Sequence, residues 1–198
     1  ALMAFWNAPI PEDKITHRVK SIEAAIRMYE ELDELNLQLI KENKEQIKIG
    51  VGINTGNVVV GNMGSDQRFD YTCLGDAVNL AARLEGQTKS YAVDILLGHE
   101  TIQGIEDKFK FILLDKIAVK GQTAPVTIYT ILKDIKQARV TNRMVDAYQS
   151  REWAECAHQI EIIKEHNWNE TLADLYAERI KQPMPVGDWD GVERKTTK

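Results

Sequence analysis

An α+β sandwich, its sheet covered on one face by helices and followed by a small helical appendage, is the architecture this sequence predicts. Three observations carry that reading. β-Rich runs and helical stretches interleave up to about residue 133, with turn signals among the strands. Beyond about Asp134 the strand signals stop and only helical periodicity remains. The chain of 198 residues, 43% of them hydrophobic, suffices for one core of ordinary size plus a small extension.

The first run, ALMAFW, is apolar from its first residue and reads as a strand, closed by the turn signal NAPIPED with its two prolines. Neither a cap nor a turn precedes it, so a further portion is expected upstream of Ala1. Residues 16–43 read as a long helix, because Val19, Ile22, Ile26 and Tyr29 recur at helical spacing while EELDE and KENKE face water. IKIGVGINTG and NVVVGNMG are two β-rich runs, and the polar residues 54–57 between them predict a hairpin. YTCL is a third short strand; after the turn GD, the alanine- and leucine-rich AVNLAARLE is a helix. AVDILLGHETIQGI gives a strand and a short helix, and FKFILLDKIAVKG with PVTIYTIL gives a last strand pair turning at residues 121–125.

Helices are then expected over residues 138–150, 151–165 and 169–181. Trp153, Ala157, Ile160 and Ile163 form one stripe, and Leu172, Leu175, Tyr176 and Arg179 another. With only EHNWN between them, these two helices are expected to pack as an antiparallel pair. The pair has the size of one helical repeat, without a second copy in the sequence. The ending MPVGDWDGVERKTTK reads as a loop or a loosely docked strap.

Composition removes several classes. A net charge of −5 argues against a basic nucleic-acid-binding face. No apolar run approaches the roughly 18 residues of a membrane-spanning helix, and no signal peptide opens the sequence. Neither nucleic acid nor membrane is therefore an expected partner of this segment. Cys73 lies in an apolar strand and Cys156 on a helix, with no pairing logic, so a reducing cytoplasm is the simpler reading; a membrane-anchored parent protein is compatible with it. GxxxxGK(S/T), HExxH and CxxC are all absent.

The chemistry-bearing residues are polar side chains set in apolar elements: Thr72, Asn79, Arg83 and Lys120. Asn79 and Arg83 stand four apart on the helix AVNLAARLE, so an amide and a permanent positive charge point the same way. A solvent-facing helix side explains that pair equally simply, and a solvated hairpin lysine explains Lys120. Gly50, Gly52, Gly56, Gly61 and Gly64 fall close together, either to let backbone approach something closely or to make turns and bulges.

The stretch IGVGINTGNVVVGNMGSDQRFDYTCLGDAVNLAARLE, followed by LLDKIAVKGQTAPVTIYTIL, resembles the catalytic domain of the class III nucleotidyl cyclases, the adenylate/guanylate cyclase family. The resemblance covers about residues 1–132, and its specific core is GxxVNxAxRxE at residues 75–85. REWAEC, YAERI and DWDGV resemble the C-terminal extension of many bacterial adenylate cyclases. The expected domains are thus a cyclase domain at 1–133 with a ferredoxin-like sheet, lacking its N-terminal part, and a helical extension and tail at 134–198.

Much follows from the resemblance. The implied reaction is cyclisation of ATP to 3′,5′-cyclic AMP and pyrophosphate, by attack of the 3′-hydroxyl on the α-phosphate. Asn79 would orient the ribose, Arg83 would meet charge developing on the α-phosphate, and Lys120 would hold the β- and γ-phosphates. Thr72 matches the purine-reading position, where its hydroxyl can accept from the adenine amine. Guanine-selective relatives tend to carry Cys there, and Cys73, one residue on, points to the other face of the strand. A homodimer with two sites at its interface is implied, as are two Mg²⁺ or Mn²⁺ ions held by two aspartates. Asp66, Asp70 and Asp76 do not match those aspartates, which are expected upstream of Ala1; the 198-residue piece is accordingly expected to be inactive alone. A guanylate cyclase is one alternative; a catalytically incomplete, cyclase-like dimerisation or regulatory module is the other. A diguanylate cyclase is disfavoured because GG(D/E)(D/E)F does not occur.

Overall fold

The computed structural model describes residues 2–65, 68–118, 125–132, 134–182 and 189–192. The expected turn at 121–125 therefore lies largely outside the described residues, as do Asp66 and Lys120. In chain order the elements are α1 (Thr16–Lys41), β1 (Val51–Ile53), β2 (Val59–Ser65), β3 (Arg68–Leu74), α2 (Asp76–Tyr91), β4 (Ile95–Gly98), α3 (His99–Ile102), β5 (Phe111–Ile117), β6 (Val126–Ile131), α4 (Ile135–Gln149), α5 (Trp153–Glu165) and α6 (Glu170–Lys181).

Four strands form one mixed sheet in the order β1-β4-β6-β5. β1 runs parallel to β4, while β4 and β5 both run antiparallel to β6. β2 and β3 form a separate antiparallel ribbon, with Gly61 opposite Thr72 and Val60 opposite Cys73. The hairpin expected between the first two internal runs does not form. A parallel partner requires a crossover connection, and α2 supplies it between β1 and β4. Residues 54–58 spend their length passing the start of α2, and β2 pairs with β3 instead.

The expected strand ALMAFW is not one either. Residues 2–6 touch the ribbon through side chains only, Phe5 stacking 5.9 Å from Tyr71 and Met3 Sδ lying 3.9 Å from Cys73 Sγ, with no ladder to any described strand. Apolar content buries side chains, but a strand also needs a free backbone edge to pair with.

Helices lie on both faces of the sheet rather than on one. β4 is buried along its whole length, as a doubly covered strand must be. Its Ile95 and Leu97 turn toward Ile22 and Ala25 of α1, the stripe expected from the sequence. Leu96 turns the other way, into a core shared by Leu80, Leu84 and Tyr91 of α2, Leu114 of β5, Met144 and Tyr148 of α4, Ile160 of α5 and Tyr176 of α6. The helices beyond residue 134 thus pack on the same side of the sheet as α2. At residues 189–192 the strap docks: Trp189 Nε1 donates to the Gln149 carbonyl at 3.0 Å, and the ring meets Tyr148 edge-on at 5.4 Å.

Glycine sets how closely α2 lies on β1. A Cβ at Gly52 would stand 2.1 Å from the Ala81 carbonyl oxygen and 2.3 Å from the Glu85 nitrogen; one at Gly56 would stand 2.6 Å from Ala77 Cβ. Both obstacles at Gly52 are backbone, so α2 itself must move to admit a methyl group. Gly52→Ala is expected to destabilise the fold by about 1–3 kcal/mol, as overpacking does. Thermal melts should show a drop of several degrees, roughly 2–4 °C per kcal/mol at this size. Gly61→Ala, where a Cβ meets nothing within 4 Å, should leave the melting temperature nearly unchanged.

Candidate active site on the outer face of α2

β3 ends at Leu74 and α2 begins at Asp76, so a single residue, Gly75, turns the chain from strand to helix. A side chain at Gly75 would press on the Asn57 carbonyl oxygen at 3.1 Å. Leu80, Leu84, Thr88 and Tyr91 are buried and fix which side of α2 faces the fold. Asn79 and Arg83 belong to the opposite side and are both exposed, one helical turn apart. The inward face rests on Gly52 of β1 and on Gly56 beyond it, and the outward face presents an amide and a guanidinium. Asp76 occupies the first turn of α2 and is exposed, without capping the helix through its side chain.

Thr72 sits half-buried in β3, next to buried Cys73 and on the opposite face of the strand. Directly across the ribbon is Gly61, which has no side chain and nothing within 4 Å of where one would be. Thr72 therefore has no side chain facing it from across the ribbon. Val59 and Leu74, an opposed pair on that same face, are 68% and 58% exposed. The other face of the ribbon, with Phe69, Tyr71 and Cys73, is the one residues 2–6 lean against.

Sequence reasoning passed over one residue that holds this arrangement. Asn54 donates from Nδ2 to the Ala77 carbonyl at 3.2 Å, tying the end of β1 to the first turn of α2. Its Oδ1 fills the place a side chain at Gly98 would take, 2.2 Å from that Cβ position. An Asn in polar, turn-like surroundings carries no signal that distinguishes it from a loop residue.

The structure brings Thr72, Asn79 and Arg83 onto one continuous segment, β3 to α2, while Lys120 lies outside the described residues. The larger concavity, about 740 Å³, is elsewhere: Tyr29 and Asp33 of α1, Asp94, and Trp168 to Thr171 before and within α6 line it. Among the described residues no group of three or more His, Cys, Asp or Glu side chains could hold a metal ion. Asp70 and Asp76 are exposed and belong to no such group.

The family model for the adenylate and guanylate cyclase catalytic domain matches residues 2–133. Adenylate cyclase 1 of Rhizobium meliloti (strain 1021) is 30% identical over 141 residues, covering 71% of this chain and 21% of that protein. The chain thus spans about a fifth of the length of that relative. The crystal structure of the adenylyl cyclase CyaB from P. aeruginosa superposes with a TM-score of 0.58 at 35% identity, covering 64% of each chain. That of the guanylyl cyclase Cya2 superposes with a TM-score of 0.53 at 28% identity, covering 66% of each.

Proposed function

The chain belongs to the adenylate and guanylate cyclase catalytic domain family, and from that premise we propose that the protein containing it converts ATP to 3′,5′-cyclic AMP and pyrophosphate for cyclic-nucleotide signalling. The observation that carries this reading is the outward pair Asn79 and Arg83, exposed one turn apart on a helix whose inner face is locked against β1. In the proposed step the 3′-hydroxyl gives up its proton to solvent, its oxygen bonds to the α-phosphorus in line with the departing pyrophosphate, and the bond to the bridging oxygen breaks. Asn79 positions the ribose so that attack is effectively intramolecular. Arg83 meets the charge that grows on the α-phosphate oxygens; its planar fork stays charged throughout and needs no proton exchange. Lys120 is assigned to the β- and γ-phosphates as a point charge.

Thr72 is assigned to the adenine edge, where its hydroxyl accepts from the exocyclic amine in the space left by Gly61. GTP is the second reading, favoured by the likeness to a guanylyl cyclase structure. The partner proposed for the uncovered ribbon face is a second copy of the same subunit, whose apposition would enclose the exposed pair on α2. Divalent-metal dependence, with Mg²⁺ or Mn²⁺ as two ions, is proposed from membership of the family. Two free, buried cysteines, Cys73 and Cys156, support a reducing, cytoplasmic setting. Residues 134–198 are proposed as an extension of the cyclase domain.

The reading is tested by giving the full-length protein ATP or GTP with Mn²⁺ and separating the products. Cyclic AMP with equimolar pyrophosphate is expected, and cyclic GMP only as a minor product. Predominant cyclic GMP would make it a guanylate cyclase, and no cyclic product from either would favour the non-catalytic module.

A further inference from the structure

α6 reaches α2 at two places, and both lie at the end of α2 farthest from its junction with β3. Asn169 caps α6, its Oδ1 accepting from the Leu172 N–H at 2.9 Å. The Nδ2 of the same amide donates to the carbonyls of Tyr91, at 2.7 Å, and Ala92, at 3.1 Å. Those are closing carbonyls of α2, the kind a helix end leaves without an internal partner. One amide therefore starts α6 and finishes α2.

Beneath it the second link is buried. The Tyr91 hydroxyl donates to Asp115 Oδ2 at 2.6 Å, and Arg179 of α6 donates to the same oxygen at 2.7 Å. Tyr176, also from α6, donates to the Leu114 carbonyl at 2.6 Å. Tyr91, Asp115, Tyr176 and Arg179 are all at most 7% exposed. Burial first, and then the Asp115 charge, hold the Tyr91 hydroxyl protonated well above the usual phenol range. It is thus a permanent donor at every pH the protein meets.

α2 needs such an anchor because of what lies under it. Gly52 brings β1 to within backbone contact of the helix, and Gly50, just before the strand, leaves room for the Thr88 side chain; such a glycine track has few side chains to interlock with α2. Closeness to β1 is set by the track; Leu80 and Leu84 key the helix into the core, and hydrogen bonds at the two ends add to its placement along the axis. Asn54 holds the first turn through the Ala77 carbonyl, and α6 holds the last. Arg83 stands two turns before the Asn169 contact, about 12 Å along the helix.

We propose that Asn169 is a positioning residue of the cyclase: through the end of α2 it fixes where Asn79 and Arg83 meet the substrate, which makes the C-terminal helical hairpin part of the catalytic apparatus. This rests on the role given to Arg83 above.

Asn169→Asp separates the two duties of the side chain. The carboxylate still caps α6, and Asp is as good a cap as Asn. It cannot donate to the α2 carbonyls, and its charge sits at the unfavourable end of that helix. In the full-length protein, kcat for cyclic AMP should fall roughly tenfold, the scale of a sub-ångström misplacement, while KM for ATP stays within about twofold. Asn169→Ser, which also caps but lacks the amide, should lose kcat in the same direction and stands in should the Asp variant not fold.

The deciding measurement is a double-mutant cycle with Arg83→Ala. If Asn169 acts through Arg83, its substitution should change kcat far less in the Arg83→Ala background than in the wild type. An equal factor in both backgrounds would mean only a loss of folded enzyme and overturns the proposal, as does an unchanged kcat in both Asn169 variants. Arg83→Ala with normal kcat would refute the assignment of Arg83 itself, and the positioning role with it.

Discussion

In the full-length protein, Arg83→Ala lowers kcat for cyclic AMP formation by about two or more orders of magnitude, the effect of removing one pre-organised charge donor from a reacting centre. KM for ATP should change much less, because the guanidinium is assigned to charge that develops during the reaction. Arg83 is exposed on the outer face of α2, whereas the residues that hold the helix to the core, Leu80, Leu84, Thr88 and Tyr91, are untouched by its removal. Melting temperature should therefore stay close to that of the wild type. A collapse of ATP affinity with turnover preserved would move Arg83 from the transition state to ground-state binding.

Thr72→Val is expected to erode the preference for ATP over GTP by roughly tenfold to a hundredfold, the scale of one lost hydrogen bond at a closely fitted edge. Valine copies the shape of threonine, and β-branched residues suit a strand, so the β2–β3 ribbon should persist. Only the hydroxyl is lost, in the open space across from Gly61. Competition between the two nucleotides, read as the ratio of kcat/KM values, gives the answer directly. An unchanged ratio would remove Thr72 from base selection and return the question to residues outside β3.

What could be read in the sequence was what is local. The helix AVNLAARLE places Asn79 and Arg83 on one side by its period alone, and the structure keeps them there, exposed. α1, β4, β5 and β6 also follow from periodicity and turn residues, with boundaries shifted by a few positions. Pairing was not legible in the same way. Two β-rich runs separated by NTGN look like a hairpin, yet β1 takes β4, forty-odd residues away, because α2 can cross over between them. Gly52 of β1 and Gly56 beyond it were open to two readings; only the distances to Ala81, Glu85 and Ala77 show that they admit a helix rather than make turns.

The C-terminal helices show the same limit. Arg179 fell on the apolar stripe of its helix by spacing, and the structure buries it there, but its partner Asp115 lies on a strand sixty-four residues earlier. Asn169 showed itself only as the place where a helix starts, because one hydrogen bond within α6 is local and two to α2 are not. Residues whose duty is to join distant elements look ordinary in sequence.

The central claim is that the exposed face of α2 reacts only once a second subunit covers it. Specific activity measured across protein concentrations, with sedimentation on the same samples, tests it most directly. Cyclic AMP output should follow the fraction of dimer and vanish toward the monomer limit, while the fold remains intact by circular dichroism. Full specific activity in samples that sediment as monomer would contradict the account, because one chain would then complete the site by itself.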